Sequence, residues 1–207
     1  MRWTTEGAVT FRKTGDPYGF LSNMAAGFPL VVNHVMWRTS EALYQACRFP
    51  SSPDLQEKIR TEASPMAAKM VTKPHRARDG RDDWDSVRVD VMLWVLCIKA
   101  LQHPRFLADL ADTGDRTIIE DSHKDRFWGA VFSEEQGVFI GENQLGRLLM
   151  TVRNEAGNLN HMGVVAPPRC GVVLLGQSVD EIHQSDARDL TADDITTREA
   201  SQMLFDV

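Results

Sequence analysis

Apolar residues along this chain recur mostly at steps of three and four, the spacing that lines one face of a helix. The clearest case opens near Asp82 and runs to about Leu101. There Trp84, Val87, Val91, Trp94, Ile98 and Leu101 form one continuous stripe that has to be buried. Thr39 or Ser40 is placed to cap a helix reaching about Phe49. Ser52-Pro53 and Ser64-Pro65 each pair a capping residue with proline at the first helical position. Pro104 begins another helix with Phe106, Leu107 and Leu110 inward and Gly114 ending it. A last one covers about Asn143 to Arg153 on the face of Leu145, Leu148, Leu149 and Val152. Alternation of the strand type is brief: Val9 to Phe11, Leu30 to Val32, Val35 to Trp37 and Thr117 to Ile119, with Asn33-His34 as a hairpin turn between the second and third. The pattern predicts a mainly α domain with short β-strands, an α+β fold.

Beyond Glu155 the pattern changes. Gly157, Gly163, Pro167 and Pro168 predict a connector, Val172 to Leu175 a strand, and the acidic end a weak or frayed helix. The division expected is a domain over 1–155 and an acidic extension over 156–207. Residues 179–207 hold eight acids against two bases, which accounts for the whole net charge of −6. The charge of the main domain is therefore balanced, and a surface for nucleic acid is compatible with it. The longest apolar run, Val91 to Ile98, is far short of a membrane span. No secretory apolar segment follows Met1, and Cys47, Cys97 and Cys170 show no paired spacing, so a reduced cytoplasmic setting without a structural metal is expected.

Three segments carry candidate chemistry. Glu41, Tyr44, Gln45 and Arg48 fall at i, i+3, i+4 and i+7 and share one helix face. The start of a helix favours the charged form of Glu41, which suits a base or a stabiliser of positive charge. Between Glu120 and Gly129 stand Glu120, Asp121, Asp125, His123 and Trp128, carboxylates and a flat aromatic face within ten residues. Cleavage of an N-glycoside passes through an oxocarbenium-like state that such carboxylates stabilise. The turn Asp16-Pro17-Tyr18-Gly19 leads to Ser22 and Asn23, whose hydroxyl and amide suit ribose or phosphate. For each segment a solvated charged face or loop is an equally simple alternative. A basic run of Lys69, Lys73, His75, Arg76, Arg78 and Arg81 is either a contact for a nucleic-acid backbone or a plain connector between helices.

Taken together, the segments resemble the NADAR (YbiA-like) superfamily. The resemblance rests on Tyr18-Gly19-Phe20-Leu21-Ser22-Asn23, Thr39-Ser40-Glu41 with Tyr44-Gln45-Ala46, Ser64-Pro65 with Ala68-Lys69, and Trp84 with Arg88. It continues through Glu120, Asp125, Trp128-Gly129 and Gly141-Glu142-Asn143-Gln144-Leu145-Gly146 to Leu149-Met150 and Arg153, in family order over about residues 9–155. It departs at Ala130, where a second glycine is usual. The resemblance implies a compact, single-domain, mostly helical YbiA-like fold and an N-glycosidase without cofactor. One branch of the family acts on early riboflavin intermediates. Another removes ADP-ribose from guanine in DNA or a nucleotide, often opposing an ADP-ribosyltransferase toxin. The resemblance carries over Glu41 and Asp125 as catalytic groups. Tyr18, Gly19, Ser22, Asn23, Tyr44, Arg48, Trp128, Gly129, Asn143 and Gly146 follow as substrate contacts, with the helix opened by Asn143 holding a phosphate. Lys13 points to the guanine branch, as an electrostatic catalyst or as an amine that traps ring-opened ribose. Trapping needs burial or a neighbouring cation, Arg12 or Arg48, to free its lone pair. A module that binds ADP-ribose or NAD without cleaving it is the alternative outside enzymes.

Overall fold

A computed structural model describes residues 1–189. Its longest helix, α4 (Trp84–Gln102), follows the predicted stripe, with Val91, Trp94, Val95, Ile98 and Leu101 buried. Around it pack α1 (Ser40–Ala46), α5 (Pro104–Ala111) and α6 (Gln144–Asn154), with α2 (Pro53–Thr61) and α3 (Pro65–Val71) against α1. The caps expected at Thr39 and Ser64 form: each side chain accepts a hydrogen bond from a backbone N–H of the first turn. Prolines open α2, α3 and α5.

Strands are short and dispersed. The expected hairpin joins β3 (Leu30–Val32) to β4 (Val35–Trp37) through Asn33 and His34, both at positive φ. The strand β2 (Val9–Phe11) lies parallel to β5 (Ile118–Glu120) in the register Phe11 to Glu120. Three strands without an alternating signal form a small sheet: β1 (Arg2–Thr4), β6 (Val131–Ser133) and β7 (Val138–Ile140). Each has three residues, too few for a period of two to show.

Buried amides join these parts. Gln102 on α4 accepts from Val31 N–H at 2.9 Å and donates to Val31 C=O at 2.8 Å, satisfying a strand edge inside the core. Gln56 on α2 donates to the carbonyls of Ala46 and Val173 and accepts from Leu175 N–H. The region after Glu155 is less open than its glycines suggest. Gly157 lies within a short helix, α7 (Ala156–Met162), which ends at Gly163 in the left-handed conformation. Paired two-residue strands follow: β8 (Val164–Val165) with β11 (Ile182–His183), and β9 (Val173–Leu174) with β10 (Gln177–Ser178). Val165, Val172, Leu174, Val179 and Ile182 are buried in the main core. The acidic terminal helix expected from the sequence falls mostly outside the described residues. Among the described residues no helix is long and apolar enough to cross a membrane.

Candidate active site

The polar face of α1 does not meet solvent. Glu41, Tyr44 and Gln45 are all buried, and with Arg48 they form one wall of a cavity of about 320 Å³. The segment Ser22 to Met24 lines it on one side and Glu120, Asp125, Phe127 and Trp128 on another. Trp84 and Arg88 of α4 close the third side, and Lys69 and Arg76 the rim. Five segments of the chain thus meet at one cleft.

Glu41 is held at both oxygens. Asn23 donates its amide to one at 3.0 Å, and Gln45 donates to the other at 2.8 Å. Gln45 is fixed in turn by Thr72, whose hydroxyl lies 3.1 Å from its carbonyl oxygen, and Arg76 donates to that same hydroxyl. Two amide donors aimed at a buried carboxyl complement its charged form and leave no freedom of rotation. The backbone carbonyl of Asn23 also accepts from Glu41 N–H. Beneath the loop that carries Ser22 and Asn23, the buried Lys99 donates to Phe20 C=O at 2.9 Å, with its ammonium 4.2 and 4.5 Å from the rings of Phe106 and Phe28. Burial pulls this amine down to about 7.

Glu120 is the carboxyl of opposite character. It ends β5 facing the cleft, and burial, then the charges of Asp125 and Glu41, push it up to about 7, against a smaller opposing effect of Lys69. A carboxyl at about 7 is protonated in about half the molecules at neutral pH and can give that proton away, the property of a general acid. The sequence counts Glu120 among the candidate carboxylates and in the family pattern but does not mark it out for a catalytic role. What distinguishes it from its neighbour Asp121 is burial, which local sequence does not show.

The aromatic wall is ordered. Tyr44 stands edge-on to Trp128 at 5.6 Å and tilted against Trp84 at 5.1 Å, and Trp128 is edge-on to Phe127. Burial, then Glu41, raises the Tyr44 phenol, which stays neutral. One oxygen of Asp125 caps the loop by accepting from Phe127 N–H and Trp128 N–H, both at 2.9 Å.

Other expected site residues are placed elsewhere. Lys13 does not line this cleft. It is exposed at the end of β2, in a shallow hollow with Arg12, Asp16 and Asp121. Its backbone N–H donates to Asp16, whose carboxyl is lowered by the N–H groups of Lys13 and Arg12. Arg12, one cation expected to activate it, is paired with Asp121. Arg48, the other, faces the main cleft. Tyr18 lies outside the cleft as well, and its hydroxyl accepts from Arg116. Gly19 is buried where a Cβ would strike the carbonyl of Thr14.

Asn143 is a structural residue. It is fully buried, accepts from Glu120 N–H at 3.0 Å and donates to Ile118 C=O at 2.8 Å, clamping β5. The start of α6 offers little to a phosphate, because Gln144 and Leu145 N–H donate to the carbonyls of Phe127 and Trp128. Gly146 lets α6 touch β5: a Cβ there would collide with Ile118 C=O. Gly129 accepts from Asn143 N–H, and a Cβ on it would stand 2.5 Å from Glu120 C=O. Ala130, buried beside Ile119 and Phe139, pairs its N–H with Glu120 C=O.

The basic run also divides. Asp79 pairs with both His75 and Arg78, and Arg81 pairs with Asp83 and donates to the carbonyls of Cys170 and Gly171. Lys69 and Arg76 turn into the cleft.

A family profile described as the NADAR domain matches residues 10–156. N-glycosidase YbiA of Escherichia coli K12 is 35% identical over 147 residues, covering 71% of this chain and 87% of that protein. An N-glycosidase of Nostoc punctiforme is 33% identical over 153 residues, 73% of this chain and 94% of its own. A riboflavin biosynthesis protein of Vibrio vulnificus is 36% identical over 153 residues, 72% of this chain and 39% of its own. The NMR structure of Escherichia coli YbiA superposes with a TM-score of 0.63 at 34% identity, over 78% of this chain and 89% of that one.

Proposed function

This chain belongs to the NADAR family, and from that premise we propose that it is an N-glycosidase that hydrolyses the bond between C1 of ADP-ribose and the nitrogen of a guanine base. The observation that carries the reading is the pair of unlike carboxyls in one cleft: Glu41 gripped at both oxygens, and Glu120 raised to about 7.

The two divide the work. Glu120 gives its proton to the departing base as the C1–N bond breaks, and the Glu41 carboxylate stabilises the positive charge that develops on the sugar. Water then adds to C1 and returns a proton to Glu120. Trp128 stacks on or borders the base, and the free oxygen of Asp125 orients the water or a sugar hydroxyl. Lys13, beside Asp16 and Asp121, acts electrostatically on substrate that projects past the Glu120 end. The reaction reverses a base ADP-ribosylation, so its natural counterpart is an ADP-ribosyltransferase toxin, with both in the cytoplasm. In the test, the protein is incubated with an oligonucleotide carrying ADP-ribosylated guanine. Free ADP-ribose and intact guanine are expected. No release, under conditions where the protein is folded, sinks the reading.

A second substrate has an observation of its own. A cleft of about 320 Å³ is at the small end for ligand sites, and half of the basic run, His75, Arg78 and Arg81, is tied up in internal pairs. Both features suit a small phosphoribosyl-amine of the riboflavin type. Faster turnover of such an amine than of ADP-ribosylated guanine selects it.

A further inference from the structure

Four cations reach the cleft, and among the described residues none of them forms an ion pair with a carboxylate that lines it. The side chain of Arg48, just beyond α1, makes no hydrogen bond or ion pair among the described residues. It lies 5.5 Å from the Trp84 ring, and its Nε is buried without a partner. Burial, then the neighbouring charge of Arg76, lowers its affinity for a proton. Arg88 on α4 has its guanidinium carbon 3.7 Å from the Phe127 ring centroid. Its Nε is also buried and unpartnered, and its one ion pair among the described residues is a 3.4 Å contact to the exposed Asp85. Arg76 is held in place by Thr72 and the carbonyl of Lys69. The Lys69 ammonium has no hydrogen-bond or ion-pair partner among the described residues.

Placing like charges together and leaving buried donors unmatched costs free energy in the unliganded protein. The carboxylates of the cleft relieve this only through space, as Lys69 does in lowering Glu120. Glu41 is saturated by two amides, and no ion pair within 4 Å joins any of the four cations to Glu41, Glu120 or Asp125. A doubly charged, multidentate acceptor would relieve it, and planar guanidinium groups match phosphate oxygens in pairs. The other seat for an anion, the start of α6, is filled by backbone carbonyls.

We infer that Arg48, Arg76, Arg88 and Lys69 form a phosphate seat that anchors the phosphate ester of a ribosyl substrate, leaving C1 to Glu41 and Glu120. The ligand class is a ribose phosphate or diphosphate. The Arg48 guanidinium lies beside the buried Trp84 and that of Arg88 over Phe127, with Arg76 and Lys69 at the rim, so together they reach a phosphate that enters the cleft. The assignment to a ribosyl substrate rests on the glycosidase reading; the seat itself does not.

The test uses the intact protein and calorimetric titration with ribose 5-phosphate, inorganic phosphate and ribose. Ribose 5-phosphate is expected to bind at one site, at least about tenfold more tightly than ribose and more tightly than inorganic phosphate. Arg48→Gln and Arg76→Gln each weaken ribose 5-phosphate about tenfold, whereas Arg78→Gln, tied to Asp79, changes nothing. Footprinting of the unaltered protein covers the case of a variant that does not fold. Ribose 5-phosphate should shield Arg48 and Arg76 from phenylglyoxal and leave Arg78 and Arg105 reactive. Equal binding of ribose and ribose 5-phosphate, or no shielding of Arg48 and Arg76, overturns the seat. Inorganic phosphate binding as tightly as ribose 5-phosphate overturns its assignment to a ribosyl substrate. Binding and shielding without release of any base leave the seat standing and remove the glycosidase reading instead.

Discussion

Two motif-bearing segments, the face of α1 and the turn opening α6, are equally polar in sequence and opposite in use. On α1 the polar atoms converge on a cavity, and Glu41 is braced by neighbours that themselves line it. At the start of α6 the Asn143 amide and the first N–H groups are committed to the backbone of β5 and of the 126–129 loop. A polar residue is available to a substrate only where its hydrogen-bonding capacity is left over, or is used to orient another group.

Mutations at the two segments should separate activity from stability. The largest effect is expected for Glu41→Gln: about a thousandfold loss of kcat, within the usual range for removing a charged catalytic group, at nearly unchanged melting temperature. A variant that unfolds, or one that keeps its rate, breaks the contrast. Gly146→Ala should act oppositely, losing roughly 1–3 kcal/mol in denaturant titration because its Cβ meets Ile118 C=O, while the folded fraction keeps turning over. Asn143→Ala should cost about 2–4 kcal/mol, leaving the Glu120 N–H and Ile118 C=O without their partner.

The pH profile sharpens the division between the carboxyls. Glu120, raised to about 7, is protonated below that value, so kcat/KM should fall about tenfold per unit above it. Glu120→Gln should be slow and lack that limb; an unchanged limb removes Glu120 as the acid. The sign for stability is the same. A carboxyl raised on folding favours the fold below its unfolded value, and that contribution is lost as pH rises through about 7. The smallest effect is expected for Lys13→Ala, a few-fold on ADP-ribosylated guanine and none on a small phosphoribosyl-amine, since Lys13 lies outside the cleft. Reductive trapping of a Lys13–ribose adduct with borohydride would reverse that placement.

Helix positions were legible because burial on one side imposes a period of about 3.6 residues on long segments such as Trp84 to Leu101. The caps at Thr39 and Ser64 were legible because they act within three residues. The sheet of β1, β6 and β7 was not, since three-residue strands show no period and β1 joins β7 across some 138 positions of sequence. The α1 face was visible as a stripe of polar residues, and its direction was not. Asn143 and Glu120 lie 23 positions apart, and only the packing of the start of α6 on β5 makes one a clamp on the backbone of the other.

What the sequence by itself determined is the helices from α1 to α6, the caps at Thr39 and Ser64, and the family pattern that marks which segments carry chemistry, because each is written in local spacing or in order along the chain. The tertiary structure decided which of those polar groups face a common cavity. Burial next to like charges raised Glu120, two amides from different segments fixed Glu41, and a backbone already satisfied withdrew Asn143. Desolvation and hydrogen-bond competition depend on neighbours brought together from far along the chain, and no window of sequence contains them.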